Sequence, residues 1–222
     1  MKTPLCSVCC AICAALSALC SCTTDVYDKG DGEYSLMLAE LADVHVDGDL
    51  RADYFVTDDD ERLTLATPLT VSWMKTPDST YRAVTYFNRT ANGADIIGMN
   101  RVGVAEPKKR DTLRTDPVRF ESMWMGRNGR YLNASIYLLT GSTNDEKAIQ
   151  MLGCNNDTLL GNADGTTTQY LTLYHDQGGV PEYYSQRAYL SIPMKGIRAD
   201  SVCLTINTYD GSIRRTFPIQ RN

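Results

Sequence analysis

The chain has 222 residues, 43% hydrophobic and 22% charged, a balance that supports a packed core and excludes wholesale disorder. Its formal net charge of −5 argues against a nucleic-acid partner, which would call for a basic face. The length holds one β domain or two smaller ones.

Met1–Lys2 is a minimal basic start, and Leu5 to Leu19 is apolar or small with no charge, the length of a signal-peptide hydrophobic region. It ends Leu19-Cys20-Ser21-Cys22, which resembles a lipobox: an aliphatic residue at −3, a small residue at −1, then the cysteine whose thiol takes the diacylglyceryl group. Choosing Cys20 instead would put bulky Leu19 at −1, so Cys22 is the expected lipidation site. An uncleaved transmembrane anchor and a plain secretory peptide remain the alternatives, although no basic flank follows to hold an anchor. Residues 1–21 are therefore expected as a lipoprotein signal peptide and 22–33 as an acidic tether to the bilayer. The expected location is the cell envelope, at the outer membrane, with the face left open. Six of the eight cysteines lie at or before position 22. The remaining two, Cys154 and Cys203, are equally readable as a disulfide or as buried free thiols; closing that loop would contribute roughly 4 kcal/mol in the chain-entropy model.

Beyond the tether, short alternating runs dominate. The first is Tyr34–Val46, with Leu36, Leu38, Leu41 and Val44 as inward candidates. Arg51–Thr57 follows and ends at the acidic turn Asp58-Asp59-Asp60-Glu61. A third strand is read over Leu63–Leu65 and Leu69–Trp73, broken by Pro68; Tyr81–Phe87 and Asp95–Val104 complete five, with a hairpin turn at Asn92-Gly93. Five strands in so short a span suit a small OB-like Greek-key barrel over residues 34–106. Residues 107–117, with two prolines and a run of charges, read as a linker. Strands are then expected at Val118–Met125, Tyr131–Leu139, Thr168–Tyr174, Tyr183–Ile192, Val202–Tyr209 and Ile213–Ile219, with a long polar loop from Gly153 to Thr167. That pattern predicts a C-terminal β-sandwich over 118–222 and an all-β chain overall.

The lipobox, the opening Glu33-Tyr34, Asp53-Tyr54-Phe55-Val56, Tyr81-Arg82-Ala83-Val84-Thr85-Tyr86-Phe87, Asp95-Ile96-Ile97, Tyr131-Leu132-Asn133 and Tyr189-Leu190-Ser191-Ile192-Pro193 together resemble the NigD-like lipoproteins of Bacteroidetes. The likeness covers nearly the whole chain, except that the acidic turn at 58–61 lacks the glycine usual in the family. It implies envelope location, a barrel followed by a sandwich, and association with bacteriocin genes; it implies no activity.

Chemistry-bearing motifs are sparse. The two histidines, His45 and His175, have no nucleophile in a triad-like motif beside them, and no zinc or phosphate-loop motif occurs in the mature chain. No cofactor or metal site is expected; Asp58–Glu61, Asn155–Asp157 and Asn162–Gly165 read as solvated turns. The candidate binding patch is aromatic: Tyr170, Tyr174, Tyr183, Tyr184 and Tyr189, set around the loop Gln177–Glu182. The sequence thus predicts a non-catalytic envelope lipoprotein that binds a protein or glycan partner. A carboxylate-dependent envelope hydrolase and a purely structural module are the alternatives.

Overall fold

The computed structural model describes Gly32 and residues 34–219. The signal peptide, Cys22 and all of the tether but Gly32 lie outside these residues. The chain divides into two compact units, Met1–Ser35 and Leu36–Asn222. In the first, the Ser35 amide closes a turn on the Gly32 carbonyl. All that follows concerns the second, in which every described regular element is a β-strand.

Five strands close a barrel: β1 (Leu38–Val46), β2 (Ala52–Thr57), β3 (Arg62–Leu69), β4 (Ser79–Thr90) and β5 (Gly93–Arg101), in the order β1-β2-β3-β5-β4 with β4 returning to β1. Alternation sends Ala42, Val44 and Val46 of β1 inward, with Phe55, Leu63, Leu65, Ala83 and Phe87. Phe55 and Phe87 meet edge to face at 5.0 Å. Two expectations are corrected here. Residues 62–69 form one strand that runs through Pro68, and the residues after Leu69 are a bend that folds Met74 into the barrel core. Leu41, expected to share a face with Val44, points out of the barrel and packs on Val84 and Val102.

The rest of the chain adds β6 (Gly103–Val104), β7 (Pro107–Lys108), β8 (Arg119–Met125), β9 (Tyr131–Thr140), β10 (Met151–Gly161), β11 (Thr167–Asp176), β12 (Tyr184–Pro193), β13 (Ser201–Thr208) and β14 (Gly211–Pro218). One sheet runs β14-β13-β11-β10-β7 and the other β6-β12-β9-β8. Between them lies a core that includes Val118, Leu132, Ile136, Leu171, Ile192, Leu204 and Ile206. Fully burying each such aliphatic side chain contributes about 1.5–3 kcal/mol.

The segment 107–117, expected as a linker, is built into this part of the molecule. Pro107–Lys108 pairs in parallel with β10, Thr115 bridges to His175, and the Asp116 amide donates to the His175 carbonyl. Gly103–Val104, expected on the strand that closes the barrel, pairs instead with β12. The polar stretch 153–167, expected as a loop, is mostly strand β10 and a tight turn into β11. Its Asn and Asp side chains are satisfied locally: Gln169 donates to Asn156 Oδ1 at 2.7 Å and Thr172 to Asp157 Oδ2 at 2.7 Å. Polar composition hid the strand because one of its faces bonds its neighbour rather than a core.

Candidate functional site

The barrel strands β1 and β4 are buried on both faces. Ala42, Val44, Ala83 and Phe87 fill the barrel, while Leu41, Asp43, Arg82, Val84 and Tyr86 point away from it. The register sets Leu41 opposite Val84 and Asp43 opposite Arg82, so one outward ribbon carries both an apolar pair and an ion pair. It lies against the outer face of the four-stranded sheet.

Arg82 is the centre of that junction. Its side chain is 1% exposed and donates from Nε to Ser191 Oγ (3.1 Å), from Nη1 to Asp43 Oδ1 (3.3 Å), and from Nη2 to Asp58 Oδ2 (2.6 Å) and Asn133 Oδ1 (3.3 Å). Its guanidinium also stacks over Tyr131 at 4.2 Å. Ser191 and Asn133 come from the sheet, and Asn133 Nδ2 donates back to Asp58 Oδ2 at 2.8 Å. The acidic turn 58–61, expected as solvated, keeps Asp59, Asp60 and Glu61 at the surface and pairs each with a cation: Arg127 on Asp59 at 3.0 Å, Arg130 on Asp60 at 3.2 Å, and Arg89 on Glu61. Asp58 is drawn in to Arg82. The Arg89 hydrogen bond holds the Glu61 carboxyl below its ordinary range.

Beside this latch the surface opens into a groove. A hollow of about 460 Å³ is walled by Tyr86, Trp124 and Tyr189, with Glu40, Asp59 and Arg127 at its rim. Tyr86 and Tyr189 also wall a second hollow of about 640 Å³, which is rimmed by Arg101, Gln186 and Arg187. The three rings are half-buried and rest on one cluster, Leu41, Val84 and Val102, which fixes their positions. Burial, reinforced by the charges of Asp59, Glu61 and Asp58 and opposed by Arg89, raises the Glu40 carboxyl above its ordinary value. Next to Tyr189 on the same sheet face, Arg187 bonds Glu121 and the Tyr137 hydroxyl, and Ser135 also donates to Glu121. The Ser135 hydrogen bond, together with Arg187, depresses the Glu121 carboxyl.

The five tyrosines expected as one patch are dispersed. Tyr189 alone lies in the groove. Tyr174 is buried under Arg110, whose guanidinium sits 4.0 Å above its ring, and Tyr170 is half-buried on the same strand of the other sheet. Tyr183 and Tyr184 are 78% and 55% exposed where the chain enters β12. Sequence reading missed Arg82, Tyr86 and Trp124. The available signal was a charged residue inside an apolar strand (Tyr81-Arg82-Ala83-Val84) and a lone Trp in Met123-Trp124-Met125.

Cys154 and Cys203 are free and buried. Cys154 on β10 pairs with Leu173, and Cys203 on β13 pairs with Tyr170, so β11 runs between them. Two strand spacings, about 9.5 Å, exceed the roughly 7 Å limit for a disulfide, and the pairing left open by the sequence is excluded by this register. Burial pushes the Cys154 thiol up to about 12, far from nucleophilic. His175 is a core residue: Nδ1 lies 2.8 Å from the Asp116 carbonyl and Nε2 lies 3.0 Å from the Gln150 amide nitrogen. His45 stacks on Tyr54 and bonds Asp53 at 2.7 Å. Among the described residues no three His, Cys, Asp or Glu side chains converge as a metal site would require.

The fold has close relatives of low sequence identity. A NigD-like immunity protein from Bacteroides caccae superposes with a TM-score of 0.63 at 23% identity, covering 82% of this chain and 97% of that one. A provisionally named toxin-related protein from Parabacteroides distasonis gives 0.60 at 17% identity, covering 82% and 92%. A provisionally named lipoprotein from Bacteroides fragilis gives 0.56 at 7% identity, covering 83% and 98%. Curated proteins yield no match in sequence. A sequence model of the NigD-like C-terminal beta sandwich domain matches residues 101–219, which begin at the last residue of β5 and run to the end of the described chain. Since that match takes in more than half of the chain, the protein belongs to the NigD-like family.

Proposed function

We propose that this protein is an exported lipoprotein, acylated on Cys22 and held at the outer membrane, whose OB-like barrel and sandwich together bind a partner rather than catalyse a reaction. The observation that carries the reading is the groove at their junction. Its aromatic walls are half-buried and rigidly backed, while the carboxylates Asp58 and Asp59 are paired with Arg82 and Arg127. Ligand sites favour such concave places where two structural layers meet. The lipobox-like Leu19-Cys20-Ser21-Cys22 supports the anchor, as does the provisional lipoprotein name of the Bacteroides fragilis relative. The Bacteroides caccae relative is named an immunity protein, which favours a defence role in the envelope.

Two measurements test this. Cys22→Ser should release the protein from membranes, and mass spectrometry of the native N-terminus should find acyl chains; an unacylated N-terminus overturns the anchor. A photo-crosslinking residue at Gln186, on the groove rim, should form adducts in intact cells, whereas one at Ala163, on the exposed β10–β11 turn, should not. Equal labelling at both positions overturns the binding site.

A further inference from the structure

We infer that the groove is a saccharide site, shaped for a neutral oligosaccharide longer than a single ring; this rests on the binding role proposed above and names its ligand. A pyranose has two kinds of surface. Its ring faces carry C–H groups that pack flat on aromatic rings, and its edge carries hydroxyls that want carboxylate, guanidinium and phenol partners. The groove supplies both together: Tyr86, Trp124 and Tyr189 as planar surfaces, and Asp59, Arg127 and Arg187 on the rim.

The register gives the scale. Trp124 on β8 lies opposite Asn133 of β9, and Tyr189 on β12 lies opposite Ser135 of β9. The two aromatic positions are thus two strand spacings apart and two residues apart along the strands, about 12 Å in all. Tyr189 and Tyr86 also wall the second hollow, so the concave surface runs on past the space of one ring and fits a chain. The rings are already held by Leu41, Val84 and Val102, so little side-chain freedom is lost on binding. Arg187 is held between Glu121 and Tyr137, which presents its guanidinium in a fixed plane at the end of the platform.

Charge gives acidic glycans no advantage. The chain carries −5 overall, and of the cations beside the rings Arg127 is paired with Asp59 and Arg187 with Glu121, so a polyanion would find neither of them uncompensated. A protein loop would fill the same apolar hollow but has no use for the combination of flat rings and a rim of hydroxyl-binding groups.

The test uses the folded mature protein and a defined panel: cellohexaose, xylohexaose, mannohexaose and chitohexaose as neutral probes, with hexagalacturonate as the anionic one. Binding is read by tryptophan fluorescence and calorimetry. A neutral hexasaccharide should bind, and Trp124→Ala should weaken it more than tenfold. Because Trp124 also packs on its neighbours, Arg187→Ala serves as the second variant; it removes an exposed polar group and should weaken binding by a similar factor. The double variant Tyr183→Ala, Tyr184→Ala should bind as the parent does. Preference for hexagalacturonate, or binding indifferent to both Trp124→Ala and Arg187→Ala, overturns the assignment. Adducts at Gln186 whose crosslinked peptide, after proteolysis, carries a periodate-sensitive saccharide mass support it in cells. Adducts whose crosslinked peptide carries a second peptide, with no hexasaccharide bound, show a protein occupant: the saccharide reading fails and the binding role stands. No adduct and no hexasaccharide bound defeats both.

Discussion

Arg82 on the barrel strand β4 donates to Asp58 Oδ2 at 2.6 Å, and the same oxygen accepts Asn133 Nδ2 of the sandwich at 2.8 Å. One carboxylate oxygen thus ties the barrel to the sheet it lies on. Removing the guanidinium would leave Asp58, 13% exposed, without its cation, and Asp43, 12% exposed, with Arg130 alone. Breaking a buried pair by deleting one partner costs about 3–5 kcal/mol, because the remaining charge stays desolvated. Arg82→Met should therefore lower the urea midpoint by that equivalent. Asp58→Asn should cost less, since the amide keeps one acceptor. A double-mutant cycle between the two should give a coupling of more than about 1 kcal/mol; additive effects would show that the contact carries no energy.

The cysteines give a second prediction. With β11 between them, Cys154 and Cys203 should both remain thiols under oxidising conditions. Native protein at neutral pH should resist iodoacetamide, as burial and a thiol near 12 require of Cys154 and as 2% exposure requires of Cys203. Denaturant should then expose two alkylation sites in the mature chain, and reductant should leave the unfolding midpoint unchanged. A mass deficit of two hydrogens in the native protein would contradict the register.

What the sequence disclosed and what it hid follow from one physical fact. Alternation reports that one face of a strand is buried; it is silent about what covers the other. Tyr81–Phe87 and Val202–Tyr209 were legible as strands because Ala83, Phe87, Val202, Leu204 and Ile206 recur at period two. Arg82 and Asp43 were not legible as partners, for they lie 39 positions apart and meet only once β1 pairs with β4. The aromatic groove was hidden for the same reason: Tyr86, Trp124 and Tyr189 come from three distant strands. The tyrosines grouped by sequence proximity were divided by strand order, Tyr170 and Tyr174 going to β11 in one sheet and Tyr184 and Tyr189 to β12 in the other. The free thiols followed from strand order, which composition does not encode.

Glu40 sets a pH dependence of unusual sign. Burial raises its carboxyl above the ordinary 4.5, so the folded state holds the proton more tightly than the unfolded chain does. Below the unfolded value both states are protonated and the group is neutral to stability. As pH rises through that value and then through the folded one, the unfolded chain ionises more readily and stability is lost. Glu40→Gln removes this dependence. It should be slightly more stable than the parent at pH 7, and the difference should shrink to nothing below about pH 4. Thermal melts of the two proteins across that range decide it, and a variant less stable at neutral pH would mean that the Arg89 attraction outweighs burial.

Two glycines separate backbone strain from steric exclusion. Gly165 has φ +84 in the β10–β11 turn, and a Cβ there would meet nothing within 4 Å. Gly165→Ala should carry only the left-handed backbone penalty, about 1–2 kcal/mol. Gly178 has φ +58, and its Cβ would lie 1.9 Å from the Ile149 carbonyl oxygen. The same two segments are joined by the Ile149 amide donating to the Gly178 carbonyl at 3.2 Å, so neither can retreat without losing that bond. Gly178→Ala must displace the loop that carries Gln150, whose amide bonds His175 and Gln177 in the sandwich interior. Its cost should exceed that of Gly165→Ala by about 2 kcal/mol or more, since an opened loop leaves buried polar groups without partners. Denaturant titration of the two variants measures the gap directly, and equal costs would show that the loop relaxes freely around position 178.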